Sequence, residues 1–543
     1  MNLEEACRAA DAAVYARTGQ HLSDVQMLIL QGALRGETYE QIASSSHYSV
    51  SYIKKFAGPT LWNLLSQGLG ETVSKTNFQT ALSRTAIASS IPSILNQSPT
   101  SLSPRPTPVK LVGVPHASVF FGRTHELGIL HQWILLDDVR LVLLSGMGGI
   151  GKTALIARFA RQNQTEFEMV VVRSLNCAPS LQNVLENLLT TLLGEQIALP
   201  SSMAECRLQL LEVFRTRRCL IVLDNVEGIL QGEQLSGQYR QDYENFGTWL
   251  HQLAEEEHQS CVVLLGREQP SALVSLAGET LPIRSLRVRG LAEAHAKQLL
   301  QAKGVNSHQS GIEELIQLKR GNPLALQIVA TTIQELFDGN VTALLKQGTV
   351  IIGDTLQTLL SEQFERLSEL EKGVIYWLAL EPQSLAKLKE NTRFMVLSLS
   401  ELLKTLQSLK RRSLLEEDPS LEAEEVNFTL QPIVLRYTIN QLVNQAVKDF
   451  STLFETQSIR DLGLIRTHIL FVEHQFYQLR QSRIHTVSQL LVKQLQTNLG
   501  HQRNINYHLH DLLLSFHEKS VQAIGYATTN LVNLQRIIES QRL

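Results

Sequence analysis

The sequence predicts a multidomain chain of the α/β plus α class, in which a parallel β layer covered on both faces by helices lies among regions that are helical throughout. Three observations predict it. At roughly 100 to 200 residues per domain, 543 residues are enough for about three to five domains. Short unbroken apolar runs, Leu141 to Leu144, Met169 to Val172, Cys219 to Leu223, Cys261 to Leu265 and a weaker one near Ile283 to Val288, alternate with helix-length segments, the pattern of strands buried on both faces. From Leu291 to the C-terminus such runs nearly vanish and amphipathic helical periodicity takes over.

Composition narrows the function classes. With 43% apolar and 19% charged residues the chain is neither wholly disordered nor fibrous. Forty-nine Lys and Arg against 52 Asp and Glu give a net charge of −3, which excludes a generally basic nucleic-acid coat and leaves only local patches. The five cysteines are scattered without a CxxC pair, so neither a zinc site nor a disulfide framework is supported. The N-terminal stretch carries acids where a signal peptide needs bases, and no apolar run is long enough to cross a bilayer. A soluble cytoplasmic protein with no membrane partner is expected.

In chain order, residues 1–82 read as a small all-α unit. Residues 83–117 are rich in Ser, Thr and Pro and free of acids, the composition of a flexible linker. Residues 118–290 hold the apolar runs. In the helical remainder, only Ser413 to Glu416 and Val426 to Leu430 read as strands, and no repeat at a period of 20 to 50 residues is found.

The strongest motif is GMGGIGKT, between the run Leu141 to Leu144 and the helical segment ALIARFARQ. It satisfies GxxxxGK[ST]. Gly146, Met147, Gly148, Gly149, Ile150 and Gly151 form a loop whose backbone N–H groups can curl around phosphates. The helix starting at Lys152, Thr153 and Ala154 adds the positive potential of its N-terminus. Lys152 would neutralise the β and γ phosphates of ATP or ADP, and Thr153 would ligate Mg2+. A second anchor for the metal comes from CLIVLDNVE, whose apolar run ends at Asp224. Asn225 cannot act as a base; Glu227, two residues beyond Asn225, reaches the same side if the chain stays extended, and is the candidate for water activation.

Further motifs carry a family resemblance over roughly Val119 to Asn440. FFGRTHEL resembles the FxGRxxEL entry segment of the NB-ARC branch of the STAND class of P-loop ATPases, which implies that Gly122 and Arg123 help close over adenine. VVLLGREQP delivers Arg267, which resembles the family's γ-phosphate sensor, and GNPLAL is similar to the GxPLA loop, which implies that Pro323 packs on the nucleotide. With Arg267 as the sensor that the resemblance implies, and Asp224 and Glu227 from the strand-end reading, the candidate catalytic residues are Asp224, Glu227 and Arg267. The resemblance divides the rest into a P-loop NTPase domain at 118–290, a helical domain at 291–357, a winged-helix domain at 358–440 and a C-terminal helical arm at 441–543. Two departures stand out. The family often has two adjacent acids where this chain has Asp224 and Asn225, which points to slow hydrolysis. Where its winged helix often sends a histidine to the β phosphate, NFTLQPIV offers Gln431.

The N-terminal region resembles the helix-turn-helix domain associated with von Willebrand A and MoxR systems in cyanobacterial proteins. Thr38 and Gln41 make a capping box, Ser46, His47 and Tyr48 a turn, and Ser49 caps a second helix with Val50 and Ile53 inward and Ser51, Tyr52, Lys54 and Lys55 outward. Six basic and seven acidic residues in 1–82 are a poor electrostatic footprint for DNA, so DNA contact through residues 38–56 and docking of a protein both stay open. The acidic stretch EEDPSLEAEEV would repel a phosphate backbone, which makes the winged-helix domain an intramolecular lever. Seven of the 16 histidines lie in the last 103 residues, but helical spacing keeps His501 and His508 apart from His510 and His517, so no metal site is expected. In related proteins such an arm leads into a sensor such as a β-propeller, which is not seen before Leu543.

These readings favour an ATP/ADP switch in which nucleotide exchange releases the lever and permits self-association, with slow ATPase activity and protein partners still to be identified. The rivals are an ATP-responsive DNA-binding transcription regulator and a constitutive remodelling motor.

Overall fold

The computed structural model describes residues 7, 10–11, 14, 22, 24–44, 50, 53–54, 58–69, 73–75 and 77–78, then 110–540 except 116–119, 195–198, 201, 348–352, 419–425, 459, 461, 473–481, 500–501 and 518. Two compact units are present, 1–107 and 108–543.

In the first unit, helices α1 (Asp24–Leu34), α2 (Tyr39–Ser44) and α3 (Gly58–Leu69) enclose Ile29, Leu30, Ile42, Ile53, Leu61 and Leu65. The Thr38 N–H donates to Gln41 Oε1 at 2.7 Å and the Gln41 N–H to Thr38 Oγ1 at 3.3 Å, the expected capping box. Trp62 Nε1 donates to the Tyr39 hydroxyl at 2.8 Å, tying α3 to α2. The expected turn at Ser46 to Tyr48, with Ser49, Ser51, Tyr52 and Lys55, lies outside the described residues. Lys54 is exposed and 3.9 Å from Glu40, so the one described cation of that segment faces a carboxylate.

The second unit opens with strand β1 (Lys110–Val112), then α4 (Thr124–His131), β2 (Leu141–Ser145), α5 (Lys152–Gln162), β3 (Met169–Ser174), α6 (Leu181–Leu193), α7 (Met203–Thr216), β4 (Cys219–Asp224), α8 (Glu244–Glu255), β5 (Cys261–Gly266) and β6 (Ile283–Arg287). The strands form one parallel sheet in the order β1-β3-β4-β5-β2-β6. Because the pleat alternates, Leu141, Leu143, Ile221, Leu223, Val262 and Leu264 meet α6, α7 and α8 on one face. Val142, Leu144, Leu220, Val222, Val263 and Leu265 meet α4 and α5 on the other. That is why these strands read as continuous apolar runs. The expected linker ends earlier than 117: Lys110–Val112 pairs with Met169 to Val171, and so short an edge strand owes its conformation to its partner.

Helices α9 (Glu293–Ala302), α10 (Ile312–Leu318), α11 (Pro323–Phe337) and α12 (Val341–Lys346) share a separate core of Leu299, Leu300, Ile312, Leu326, Val329 and Val341. The rest comprises α13 (Asp354–Glu365), α14 (Glu369–Leu380), β7 (Gln383–Ser384), α15 (Leu385–Asn391), α16 (Leu399–Arg411), β8 (Leu415–Asp418), β9 (Asn427–Leu430), α17 (Pro432–Thr456), α18 (Gly463–Thr467), α19 (Arg483–Leu499), α20 (Gln502–Phe516) and α21 (Ala527–Ser540). Strands β7, β9 and β8 form a small antiparallel sheet, with β8 starting two residues later than Ser413. One apolar core runs from Leu356 through Trp377, Leu409, Phe450 and Leu491 to Ile538. The boundaries expected at 357/358 and 440/441 therefore fall inside α13 and inside the 25-residue α17. A helix carries its own hydrogen bonds across such a point, and amphipathic spacing alone does not reveal which helices share a core. His508, one of the clustered tail histidines, stacks on Phe454, and among the described residues no group of three or more His, Cys, Asp or Glu is placed to hold a metal ion. Among the described residues no helix is long and apolar enough to cross a membrane.

Charges buried from both sides join the sheet to this last core. Arg412 is fully buried; its Nε donates to Glu371 Oε1 at 2.9 Å, its Nη2 to the Gln234 carbonyl at 2.7 Å, and its Nη1 to Glu268 Oε1. Glu268, directly after Arg267, also accepts from Arg366 Nε at 2.7 Å, and Glu371 accepts from Ser408 Oγ at 2.6 Å. Replacing Arg412 by Met leaves two buried carboxylates short of a partner and should cost about 3 to 5 kcal/mol, read as a lower denaturant midpoint. A midpoint within error of the parent would show the network to be dispensable. A second check is pH. Burial pulls the His468 imidazole down to about 4, although its Nε2 bonds the Gly373 carbonyl at 2.9 Å. The unfolded chain takes up that proton first, so this stabilisation is complete above about pH 6.5 and falls as pH drops towards 4, by about 2 kcal/mol between 6.5 and 5. In His468→Gln the stability-versus-pH curve should be flatter by that amount.

Candidate functional site

The site lies beyond the carboxyl ends of the parallel strands, where an open α/β sheet collects loop backbones and helix N-termini. At the tip of β2 the loop turns through left-handed conformations at Gly149 (φ 74°) and Gly151 (φ 94°), which glycine adopts without strain. At Gly149 a Cβ would also meet the Leu324 side chain at 2.6 Å. Lys152 Nζ folds back to donate to the carbonyls of Gly146 (2.8 Å) and Met147 (3.2 Å). Burial pulls the Lys152 ammonium down to about 8, with Glu227 and Asp224 acting in the opposite sense.

Strand order decides what faces that lysine. β5 lies between β2 and β4, so the tip of β5 stands between the loop and Asp224. Thr153 Oγ1 donates to Asp224 Oδ2 at 2.7 Å, and the Asn225 N–H donates to Asp224 Oδ1 at 2.8 Å. Burial raises the Asp224 carboxyl above its usual range against those bonds. At Asn225 the backbone turns left-handed (φ 59°) into a short 3-10 helix at Val226–Ile229, so the chain does not stay extended after Asp224. Glu227 nevertheless reaches the site, almost fully buried. Burial pushes its carboxyl up, but the Arg267 guanidinium more than offsets this and holds it low. Arg267 Nε donates to Glu227 Oε1 at 2.7 Å and its N–H to Glu227 Oε2 at 3.1 Å. The residue expected to activate water is thus a salt-bridge partner, because the turn after Asp224 aims it at β5.

These groups line a cavity of about 410 Å³, within the ~300 to 1,000 Å³ usual for small-molecule sites. Gly148 to Ala154, Asp224, Glu227 and Arg267 form its polar wall; Phe120, Phe121, Leu291, Leu299, Pro323, Leu324 and Leu359 form the apolar one. Its donors, acidic anchor and apolar end fit a phosphorylated ligand with a flat apolar moiety. Gly122, Gly146 and Met147, expected at the ligand, do not line it. Gly122 (φ 65°) provides the turn that leads into α4, and Met147 is buried in the core it shares with Leu356 and Leu360. Arg123 lines the cavity, but its guanidinium donates to the carbonyls of Arg289 (2.6 Å) and Ile150 (2.9 Å) and to Glu126 (2.8 Å), bracing the loop from outside. Gln431 is not at this cavity: as the N-cap of α17 it lines a second one, of about 540 Å³, with Met147, Ile150 and Asn322.

Asn322 is a residue the sequence reading passed over in favour of its neighbour Pro323. Its side chain accepts from the Ala325 N–H at 3.2 Å, capping α11, and donates to the Gly148 carbonyl at 3.1 Å; the Leu324 N–H donates to the Gly149 carbonyl at 3.3 Å. An Asn directly before Pro at a helix start was the available signal.

Residues 140–304 match the family model described as NACHT domain, and residues 1–85 the model described as vWA-MoxR associated protein N-terminal HTH. The stretch that matches the NACHT model carries the phosphate loop and strands β2 to β6 of the parallel sheet. A WD repeat-containing protein of Nostoc sp. is 36% identical over 465 residues, covering 77% of this chain and 36% of its own length; the chain spans about a third of that relative. Among solved structures, a STAND protein with a tetratricopeptide repeat sensor from Pyrococcus horikoshii is 16% identical over 80% of this chain and 60% of its own, with a TM-score of 0.32. The ORC2 protein of Aeropyrum pernix is 14% identical over 60% of this chain and 96% of its own, with a TM-score of 0.37.

Asn322→Ala removes both the cap and the bond to Gly148, and should cost about 1 to 2 kcal/mol, measured as earlier thermal unfolding. No shift in the melting curve would show that Leu324 alone holds the loop.

Proposed function

We propose that the chain is an ATP/ADP-binding signal-transduction switch, in which the nucleotide bridges the sheet and the helical segments and exchange releases the winged-helix part for self-association. One observation carries this reading: a single cavity is walled by the phosphate loop, by Pro323 and Leu324 of α11 and by Leu359 of α13, elements that draw on three apolar cores, with Met147 of the loop and Ala325 of α11 also reaching into the core of α13. A ligand there makes contacts that depend on how those cores sit, which is what a two-state device needs.

Lys152 and the loop N–H groups would hold the phosphates, while Thr153 and Asp224 would hold Mg2+, whose charge neutralises phosphate oxygens when bound. Pro323, Leu291 and Leu299 would cover the base. With Glu227 committed to Arg267, no described carboxylate at the cavity other than Asp224 is left to take a proton from water, which supports slow hydrolysis. The motifs favour the NB-ARC branch beside the NACHT match, and WD repeats, which the name of the Nostoc relative mentions, are the proposed source of the trigger.

A second reading, an ATP-responsive transcription regulator binding DNA through residues 38–56, draws support from the helix-turn-helix match; the Lys54–Glu40 approach weighs against it.

Lys152→Ala should reduce retention of labelled ATP and ADP by at least about tenfold, since a buried ammonium opposite phosphate contributes more than ~1.4 kcal/mol. Retention equal to the parent's would remove the basis of the switch.

A further inference from the structure

Arg267 and Glu268 are consecutive and oppositely charged, and both are gripped by the same stretch of chain. Arg267 Nη2 lies 3.1 Å from Glu362 Oε2 and its Nη1 donates to the Leu359 carbonyl at 3.1 Å. Glu268 takes Arg366 at 2.7 Å. Glu362 and Arg366 are four residues apart, about one helical turn, so α13 and its C-cap offer a minus and a plus against the plus and minus at the strand end. Because Nε is committed to Glu227, the two Nη atoms are the part of Arg267 free to change partner, and both are now taken by α13.

Arg267 also stands between two spaces. It lines the cavity of the phosphate loop together with Glu227 and Leu359, and it lines an adjoining cleft of about 550 Å³ together with Glu227, Glu362 and Glu365. Glu362 lines only the cleft.

We propose that Glu362 is a positioning residue that holds Arg267 towards α13 and thereby sets the preference of the site between ATP and ADP. The proposal rests on the nucleotide-switch reading above. To meet a third phosphate, Arg267 must exchange Glu362 and the Leu359 carbonyl for phosphate oxygens; to accommodate ADP it need not move. The carboxylate of Glu362 therefore weakens binding of ATP and leaves ADP alone, biasing the chain towards the ADP form. When Arg267 lets go, α13 loses two bonds to the strand end while Arg366 and Arg412 still hold Glu268, so triphosphate binding loosens the lever one step before the buried network gives way.

The Glu362 side chain is half-exposed (52%), so solvent screens the pair and the effect is modest, about two- to fivefold. The test is equilibrium binding of ADP and of a non-hydrolysable ATP analogue to the full chain, in the parent, in Glu362→Gln and in Glu365→Gln. Glu365 lines the same cleft but accepts from Ser361 Oγ at 3.1 Å, and so reports any general effect of lost charge. Glu362→Gln should tighten the analogue about two- to fivefold with ADP unchanged, and Glu365→Gln should alter neither. Equal tightening of both nucleotides, an unchanged ratio, or the same shift in Glu365→Gln would overturn the role assigned to Glu362 and leave the switch reading standing. Failure of the parent to bind either nucleotide would sink both.

Discussion

The constraint on which the molecule turns is the carboxyl end of β5, where one strand end must satisfy two opposite charges in places that exclude water. Glu268 is buried against Arg412 and Arg366, and Arg267 against Glu227. Unpaired, any of these would carry a desolvation penalty that its neighbours could not offset, so the sheet and the α13–α17 part are held in one register rather than merely in contact. Glu371 shows how closely the network is built into local structure: the same side chain completes the capping box of α14 with Ser368 and accepts from Arg412.

Around that strand end the cavity is assembled from parts that are rigid for unrelated reasons. The loop is shaped by glycines at positive φ and braced from outside by Arg123; α11 begins at Asn322 and Pro323, with Asn322 bonding the loop; α13 brings Leu359. Between them they draw on three apolar cores, and Met147 of the loop and Ala325 of α11 also reach the core of α13, so a shift among the cores changes the cavity wall. The electrostatics point the same way. Lys152, Asp224, Glu227 and Arg267 form a nearly balanced set of two cations and two anions, each shifted by burial and by the others, so a phosphorylated ligand enters a site whose charges already have partners and must exchange them.

Much of this was legible in the residues. GMGGIGKT, the run ending at Asp224 and the run ending at Gly266 and Arg267 each report a buried strand followed by a polar tip, because burial on both faces leaves an unmistakable apolar run and phosphate binding demands glycine. The route by which Glu227 reaches the cavity was not legible, because Asn225 turns the backbone left-handed where an extended chain is expected. The edge strand Lys110–Val112 was hidden in a linker because three residues carry no period of their own.

Local chemistry thus determined on its own the class of the sheet, the phosphate loop, the capping boxes and the helices: each is specified by neighbours a few residues away, through pleat, φ preference or helical turn. What only the tertiary structure decided are the pairings across long separations: Thr153 with Asp224, Arg267 with Glu227 and Glu362, Arg412 with Glu268 and Glu371, and the single core that runs across residue 440. The physical reason is that a charged side chain reads in sequence as a solvated one, and only the packed fold, by removing water, makes its choice of partner matter.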